Sequence, residues 1–256
     1  MDHMKRSTIA AQMFTLREYT QAPEDLKSTF QKVSDMGYKA IQISAIGPMD
    51  PKLVKAYADD ANLVICATHV PWERLLNDLE TLAEEHKLWN CKYVGLGSMP
   101  EVYRTGQASY REFTKLMSHV AITLKEQHGL QLVYHNHDFE FERFGGVTGM
   151  EILLTESDPA VGFELDLYWV QVGGGSPVEW IRKVEGRMQV VHLKDMAVVD
   201  GKQVFAEIGE GNMNYEEIIN TCRDTGVEWF VVEQDECRRD PFESLEMSLK
   251  YLGGFL

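Results

Sequence analysis

The chain has 256 residues, 44% hydrophobic and 25% charged, with 40 acidic against 25 basic side chains and a formal net charge of -15. This is the composition of a globular protein with a sizeable core, and its excess of acid repels phosphate backbones, which sets nucleic acid aside as a partner. No apolar run approaches the roughly 18 residues of a membrane span, so no membrane partner is expected.

The cysteines Cys66, Cys91, Cys222 and Cys237 are widely spaced, with no pair at CxxC spacing. They read as free thiols in a reducing, cytoplasmic setting. Met1 to Arg6 lacks the apolar stretch of a secretory signal, and Met1-Asp2-His3-Met4 reads as an appended segment.

In chain order, Ile9 to Phe14 is a short apolar strand. Pro23 opens a helix with Leu26, Phe30, Val33 and Met36 on one face and Gly37 as its stop. Ala40 to Ile46 is a second strand and Pro51 to Asn62 a helix. Leu63 to His69 is a nearly continuous apolar strand, followed by Pro71 and one long helix to about Trp89. Strand Tyr93 to Leu96 and helix Ser109 to Gln127 repeat the unit. Leu130 to His135 is the next strand, Thr148 to Glu156 a short helix, and Val161 to Leu165 a strand that leads through Gly173-Gly174-Gly175 to a helix from Pro177 to Val184. Gln189 to Leu193 is a strand that enters the longest irregular stretch, Met196 to Asn212. A helix from Tyr215 to Asp224, a strand from Glu228 to Val232 and a helix from Pro241 to Leu252 complete the chain.

The strands are apolar throughout, as in a parallel sheet covered on both faces. Eight strand-helix pairs in about 250 residues, with no linker dividing them, predict a single (β/α)8 TIM barrel over 1–256, an α/β fold whose chemistry gathers at the carboxyl ends of the strands. An open doubly wound sheet shows the same alternation but fits eight repeats less well.

Those strand ends carry the polar groups. Tyr134-His135-Asn136-His137-Asp138-Phe139-Glu140-Phe141 closes the fifth strand, Asp166 the sixth, His192 the seventh and Glu233 the eighth. Alternate residues of a strand share a face, which makes Val133, His135 and His137 candidates to point inward. Imidazole together with carboxylates suits one divalent cation of intermediate hardness, Mn2+, Mg2+, Co2+ or Zn2+. Each residue alone also reads as a cap, an ion-pair partner or a packed core histidine; four consecutive strand ends together favour a site. His69 ends the third strand and Lys194 follows His192 on its face, so both are candidates to contact substrate. Trp72 and Trp169 are candidates for an apolar wall against it. Gly209-Glu210-Gly211 lacks the lysine and flanking elements of a phosphate loop and reads as a tight turn.

With Glu164-Leu165-Asp166-Leu167-Tyr168-Trp169, His192-Leu193-Lys194-Asp195, Ile208-Gly209-Glu210-Gly211 and Val232-Glu233-Gln234-Asp235, these motifs resemble the sugar phosphate isomerase/epimerase family of xylose isomerase-like barrels, in order and over nearly the whole chain. The resemblance implies a divalent cation held by a Glu, Asp, His, Glu set and proton transfer beside a sugar carbonyl. Asp166, His192 and Glu233 match the last three ligands. Val133 stands where the first Glu is expected, leaving Glu140, His135, His137 or a water for that place, with Glu140 the leading choice. Glu233 is the expected base, and His135 or His137 the second proton-transfer group.

The substrate implied is a small sugar or keto-sugar. Lys194 and Arg17 are the only cations in view, which favours an unphosphorylated one, and homo-oligomer formation is compatible with the sequence. A metal-dependent lyase or dehydratase on a keto-sugar or polyol uses the same parts, and a non-catalytic sugar-binding barrel is a third reading. AP-endonuclease-type barrels share the fold but need three metals and further histidines, where this chain has Trp169, Gln203 and Phe205.

Overall fold

The computed structural model describes residues 8–255, so the reading of Met1–Arg6 concerns residues outside that range. Eight parallel strands, β1 (Ile9–Gln12), β2 (Ala40–Ile43), β3 (Val64–His69), β4 (Tyr93–Leu96), β5 (Gln131–His135), β6 (Gly162–Asp166), β7 (Val190–Leu193) and β8 (Trp229–Val232), pair in sequence and close into a barrel. The seam is β8 on β1, with Ile9 opposite Phe230 and Ala11 opposite Val232. Helices surround it, giving the expected (β/α)8 architecture.

Local sequence explains where the helices start. Proline occupies the first turn of Pro23–Met36, Pro51–Asp60, Pro177–Lys183 and Pro241–Leu252, where its missing N–H costs nothing. Asp50, Ser176 and Asp240 cap three of these through their side chains. Thr148 and Glu151 form a reciprocal capping box on Gly149–Glu156.

Two expectations are corrected, and one further element is added. The single helix after Pro71 is two, Trp72–Asn77 and Leu79–Trp89. Asp78 leaves helical geometry at φ -141°, and Arg74 spans the corner by pairing with both Asp78 and Glu85. The stretch from Met196 contains an antiparallel hairpin, Asp195–Val199 with Lys202–Ala206, turned by Asp200 and Gly201 at φ 52° and 71°; Asp-Gly is a strong signal for such a turn. The residues after Asp166 form a short helix, Leu167–Val172, started by the Asp166 side chain accepting from Trp169 N–H.

The barrel has two apolar layers. The larger lies between sheet and helices, and a small interior cluster holds Ala10, Ala40, Cys66, Ala67, Tyr93, Val133, Val190 and Val231. Two residues farther along the same strands, the inward positions turn polar: Gln12, Gln42, His69, His135, His192 and Glu233. On β3 this needs a bulge. Ile41 pairs with Ile65 and Gln42 with Ala67, so Cys66 is the extra residue. Both Cys66 and Ala67 then join the interior cluster, and the parity of β3 shifts to turn His69 toward the axis.

Beyond β7, Asp195 accepts backbone N–H bonds from Met196, Gly209, Gly211 and Met213 at 2.7–3.3 Å. This carboxylate organises the Gly209-Glu210-Gly211 turn. Gly209 has φ 91°, and a Cβ on Gly211 would sit 2.3 Å from Asp195 Oδ1. Among the described residues no helix is long and apolar enough to cross a membrane.

Candidate metal centre

The carboxyl ends of β5 to β8 bring His135, Asp166, His192 and Glu233 together, all buried, with one potential ligand atom from each within 4.8 Å of the others. His135 Nε2 lies 3.3 Å from Asp166 Oδ2 and 3.9 Å from Glu233 Oε2. His192 Nδ1 lies 3.2 Å from Glu233 Oε2 and 3.9 Å from Asp166 Oδ2. The Lys194 ammonium, fully buried, is 3.0 Å from Asp166 and 2.8 Å from Glu233 and also contacts Asp235.

These charges set one another's ionisation. Burial alone would raise the Asp166 carboxyl, but Lys194 and His135 outweigh it and hold it at about 2. Glu233 is likewise held low, with burial overcome by Lys194 and His192. Burial opposes charge on His192, yet Glu164 and Glu233 push it up to about 10. Burial raises Asp235 to about 6 against the pull of Lys194. Near neutral pH the carboxylates of Glu164, Asp166, Glu233 and Asp235 therefore face the cations of Lys194 and His192, and negative charge is in excess.

Two observations fit a divalent cation here. The excess negative charge is buried, where uncompensated ions are costly. His135 Nε2 is buried without a hydrogen-bond partner, a penalty of about 1–3 kcal/mol, and Asp166 Oδ2 beside it is met by the Lys194 ammonium alone; a shared cation would satisfy both. The tetrad supports binding of one divalent cation and, with it, a metal-dependent enzyme.

Glu140, the leading sequence choice for the vacant ligand place, lies elsewhere. Its Oε1 accepts from Tyr134 OH at 2.5 Å and its Oε2 from His137 N–H at 2.8 Å. Tyr134 alternates with the inward Val133 and His135, so it points into the outer layer, and Glu140 folds back onto that side. The position at Val133 belongs to the interior cluster, and His135, one inward step higher, reaches Asp166 and Glu233 instead.

Of the sequence candidates, His69, Trp72, His135, His137 and Glu233 line a cavity of about 570 Å³ at the barrel mouth. Phe14, Ile43, Ile46, Trp72 and Leu96 form its apolar side, and His69, His135, His137, Glu233 and Asp235 its polar side. No lysine or arginine lines it. His137 is kept neutral by burial and by His135, which lower it to about 3, and its ring stacks on Phe139. Trp169 does not line the cavity; it packs edge-on to Tyr168 and Phe205 and lies 5.6 Å from the His137 ring. Lys194 does not line the cavity either and is held by the carboxylates of Asp166, Glu233 and Asp235. Sequence reasoning passed over Gln42 and gave Glu164, quoted only within its motif, no role; both are fully buried beside His192 and His69. The alternation of β2 and β6, with Gln42 two past Ala40 and Glu164 two before Asp166, is the signal that points to both.

Residues 30–252 match the xylose isomerase-like TIM barrel family, and the chain belongs to that family. An inosose dehydratase from Lacticaseibacillus casei is 26% identical over 145 residues, which cover 48% of this chain and 47% of that protein. The chain thus matches about half the length of that relative. An inosose dehydratase from Geobacillus kaustophilus (strain HTA426) is 24% identical over 86% of this chain and 84% of its own length. Among solved structures, a sugar phosphate isomerase/epimerase from Parabacteroides distasonis ATCC 8503 superposes with a TM-score of 0.80 at 26% identity, covering 95% of this chain and 96% of that one.

Proposed function

We propose that the chain is a cytoplasmic, metal-dependent isomerase or epimerase that moves a proton beside the carbonyl of an unphosphorylated sugar or keto-sugar. The observation that carries this reading is the buried tetrad His135, Asp166, His192 and Glu233 opening onto a cavity with one apolar and one polar side. A divalent cation at the tetrad supplies Lewis acidity for a carbonyl and its neighbouring hydroxyl. The ligand set proposed is His135 with Asp166, His192 and Glu233, and two imidazoles beside two carboxylates suit Mn2+, Co2+ or Zn2+ better than oxygen-seeking Mg2+.

Glu233 is the proton-transfer group proposed, because it is ionised and lines the cavity. His137, neutral and with Nδ1 unpartnered, is positioned to serve the opposite proton movement. Trp72, with Phe14 and Leu96, offers a wall for the C–H face of a ring, and the lack of a lining cation leaves a phosphate without a partner.

A dehydratase is the second reading. It is favoured by the inosose dehydratase relatives and by Val133, which removes the carboxylate that a two-carboxylate epimerisation uses. Where further metal ligands would be needed for AP-endonuclease chemistry, Trp169 and Phe205 pack together and Gln203 donates to Tyr168 OH.

Metal-loaded protein incubated with candidate ketoses and inososes in D2O tests both readings. Exchange at the carbon beside the carbonyl without loss of water supports isomerisation, and enone absorbance with loss of water supports dehydration. Neither signal, with a ligand demonstrably bound, would establish a non-catalytic binder. Asp166→Ala and His192→Ala should each abolish stoichiometric metal, and Glu233→Gln should lower turnover by roughly 10²- to 10⁴-fold.

A further inference from the structure

A second group of metal-capable residues, His69, Glu164 and His192, adjoins the tetrad, and its hydrogen bonds define another role. His192 Nε2 lies 2.6 Å from Gln42 Oε1. Gln42 Nε2 donates to Glu164 Oε1 at 2.9 Å, and Glu164 Oε2 lies 2.6 Å from His69 Nε2. All of Gln42, Glu164 and His192 are fully buried, so no water competes for these groups.

The donor and acceptor roles follow from the amide between them. Gln42 turns its NH2 to Glu164 Oε1, which leaves its carbonyl, only an acceptor, against His192 Nε2. His192 Nε2 then carries a proton, and Nδ1 is the nitrogen left to face Glu233 and Asp166. The Glu164 carboxylate accepts on its other oxygen as well, so His69 Nε2 carries a proton and Nδ1 is its acceptor atom. That atom lies beside Gly97, where an added Cβ would come within 2.8 Å of it, and both His69 and Gly97 line the cavity.

We infer that Glu164 is a positioning residue that sets two imidazoles at once, His69 directly and His192 both through Gln42 and by its own Oε1, 3.4 Å from Nε2, so that one offers Nδ1 to the cation cluster and the other offers Nδ1 to the cavity. His69 accordingly accepts a hydrogen bond from a substrate hydroxyl. The inference rests on His192 being a ligand, as proposed above. It also accounts for the β3 bulge, which turns His69 inward to meet Glu164.

The test is long-range 1H–15N correlation spectroscopy of histidine-labelled protein loaded with Zn2+, which reports which ring nitrogen is protonated. The wild type should show Nε2–H on both His192 and His69. In Glu164→Gln the single amide oxygen cannot serve two donors. Zn2+ holds His192, so Gln42 keeps its orientation and the new NH2 faces His69, whose ring should switch to Nδ1–H. Gln42→Met should weaken Zn2+ binding by about 10- to 100-fold and leave His69 unchanged. A purely structural Glu164 would alter stability without switching a ring.

Nδ1–H on either histidine of the wild type, or an unswitched His69 in Glu164→Gln, overturns the inference. If that variant does not fold, the wild-type spectrum and Gln42→Met still decide. Failure of the wild type to bind Zn2+ would instead overturn the metal reading and the His192 arm with it, while the His69 arm is read in metal-free protein.

Discussion

Replacing Lys194 with methionine tests the charge balance at the tetrad. The side chain is fully buried, with its ammonium 3.0 Å from Asp166 Oδ2 and 2.8 Å from Glu233 Oε2. Methionine keeps most of the stem volume and leaves Asp166, Glu233 and Asp235 facing one another without that cation. Removing one partner of a buried ion pair costs about 3–5 kcal/mol. In a chain of this size each kcal/mol moves the melting temperature by about 2–4 °C, so metal-free Lys194→Met should melt about 6–20 °C below the wild type. A divalent cation at the tetrad neutralises the same two oxygens, so saturating Mn2+ should restore at least half of the loss. By linkage the variant should then bind Mn2+ more tightly than the wild type. Urea unfolding of both proteins, in chelator and in saturating Mn2+, gives the four free energies of the cycle. Equal losses with and without the metal would refute the idea that ammonium and cation compete for these carboxylates.

Three further outcomes are expected. His192 is protonated up to about pH 10 without metal, and a ligating imidazole must be neutral, so metal uptake at pH 7 should release about one proton and tighten roughly tenfold per pH unit; calorimetry in buffers of different ionisation enthalpy that finds no release counts against His192 as a ligand. Burial pushes the Glu140 carboxyl up to about 7, so its contribution to stability is full below about pH 4.5 and is lost as the pH rises through 7, by about 3 kcal/mol. The stability of the wild type relative to Glu140→Gln should fall by that amount between pH 4.5 and 8, with metal affinity unchanged; a pH-independent difference, or weakened metal binding, would contradict the placement of Glu140. Gly97→Ala puts a Cβ 2.8 Å from His69 Nδ1 and should cost about 1–3 kcal/mol in urea unfolding while shifting the His69 ring signals, and unaltered signals would mean that the ring is not confined there.

The barrel was legible because its punctuation is strong: prolines in first turns, Gly37 after a helix and short apolar runs of strand length. The hairpin after β7 was missed although Asp200-Gly201 marks its turn, since the polar residues around it read as loop. Asp166, His192 and Glu233 could be found because a polar group that ends an apolar strand stands out. Gln42 and Glu164 did not stand out, because β2 and β6 were read as continuous apolar runs and not residue by residue for alternation. The bulge at Cys66 leaves no mark in the sequence, so nothing there says that His69 meets Glu164.

The misplacement of Glu140 and the vacancy at Val133 share one cause. Nearness in sequence made a loop carboxylate five residues past His135 look available, but strand parity decides which side of the sheet it can serve. Tyr134 faces outward and draws Glu140 with it, whereas His135 faces inward and lies within 4 Å of both Asp166 and Glu233. Substituting an imidazole for the carboxylate that the family resemblance implies removes one negative charge from the candidate centre. Lys194 remains paired with three carboxylates, so the balance still leaves negative charge in excess and still calls for a cation, but with a softer donor set. The same substitution leaves Glu233 as the one carboxylate of the tetrad that lines the cavity, which is why the proton-transfer role is proposed for that side chain.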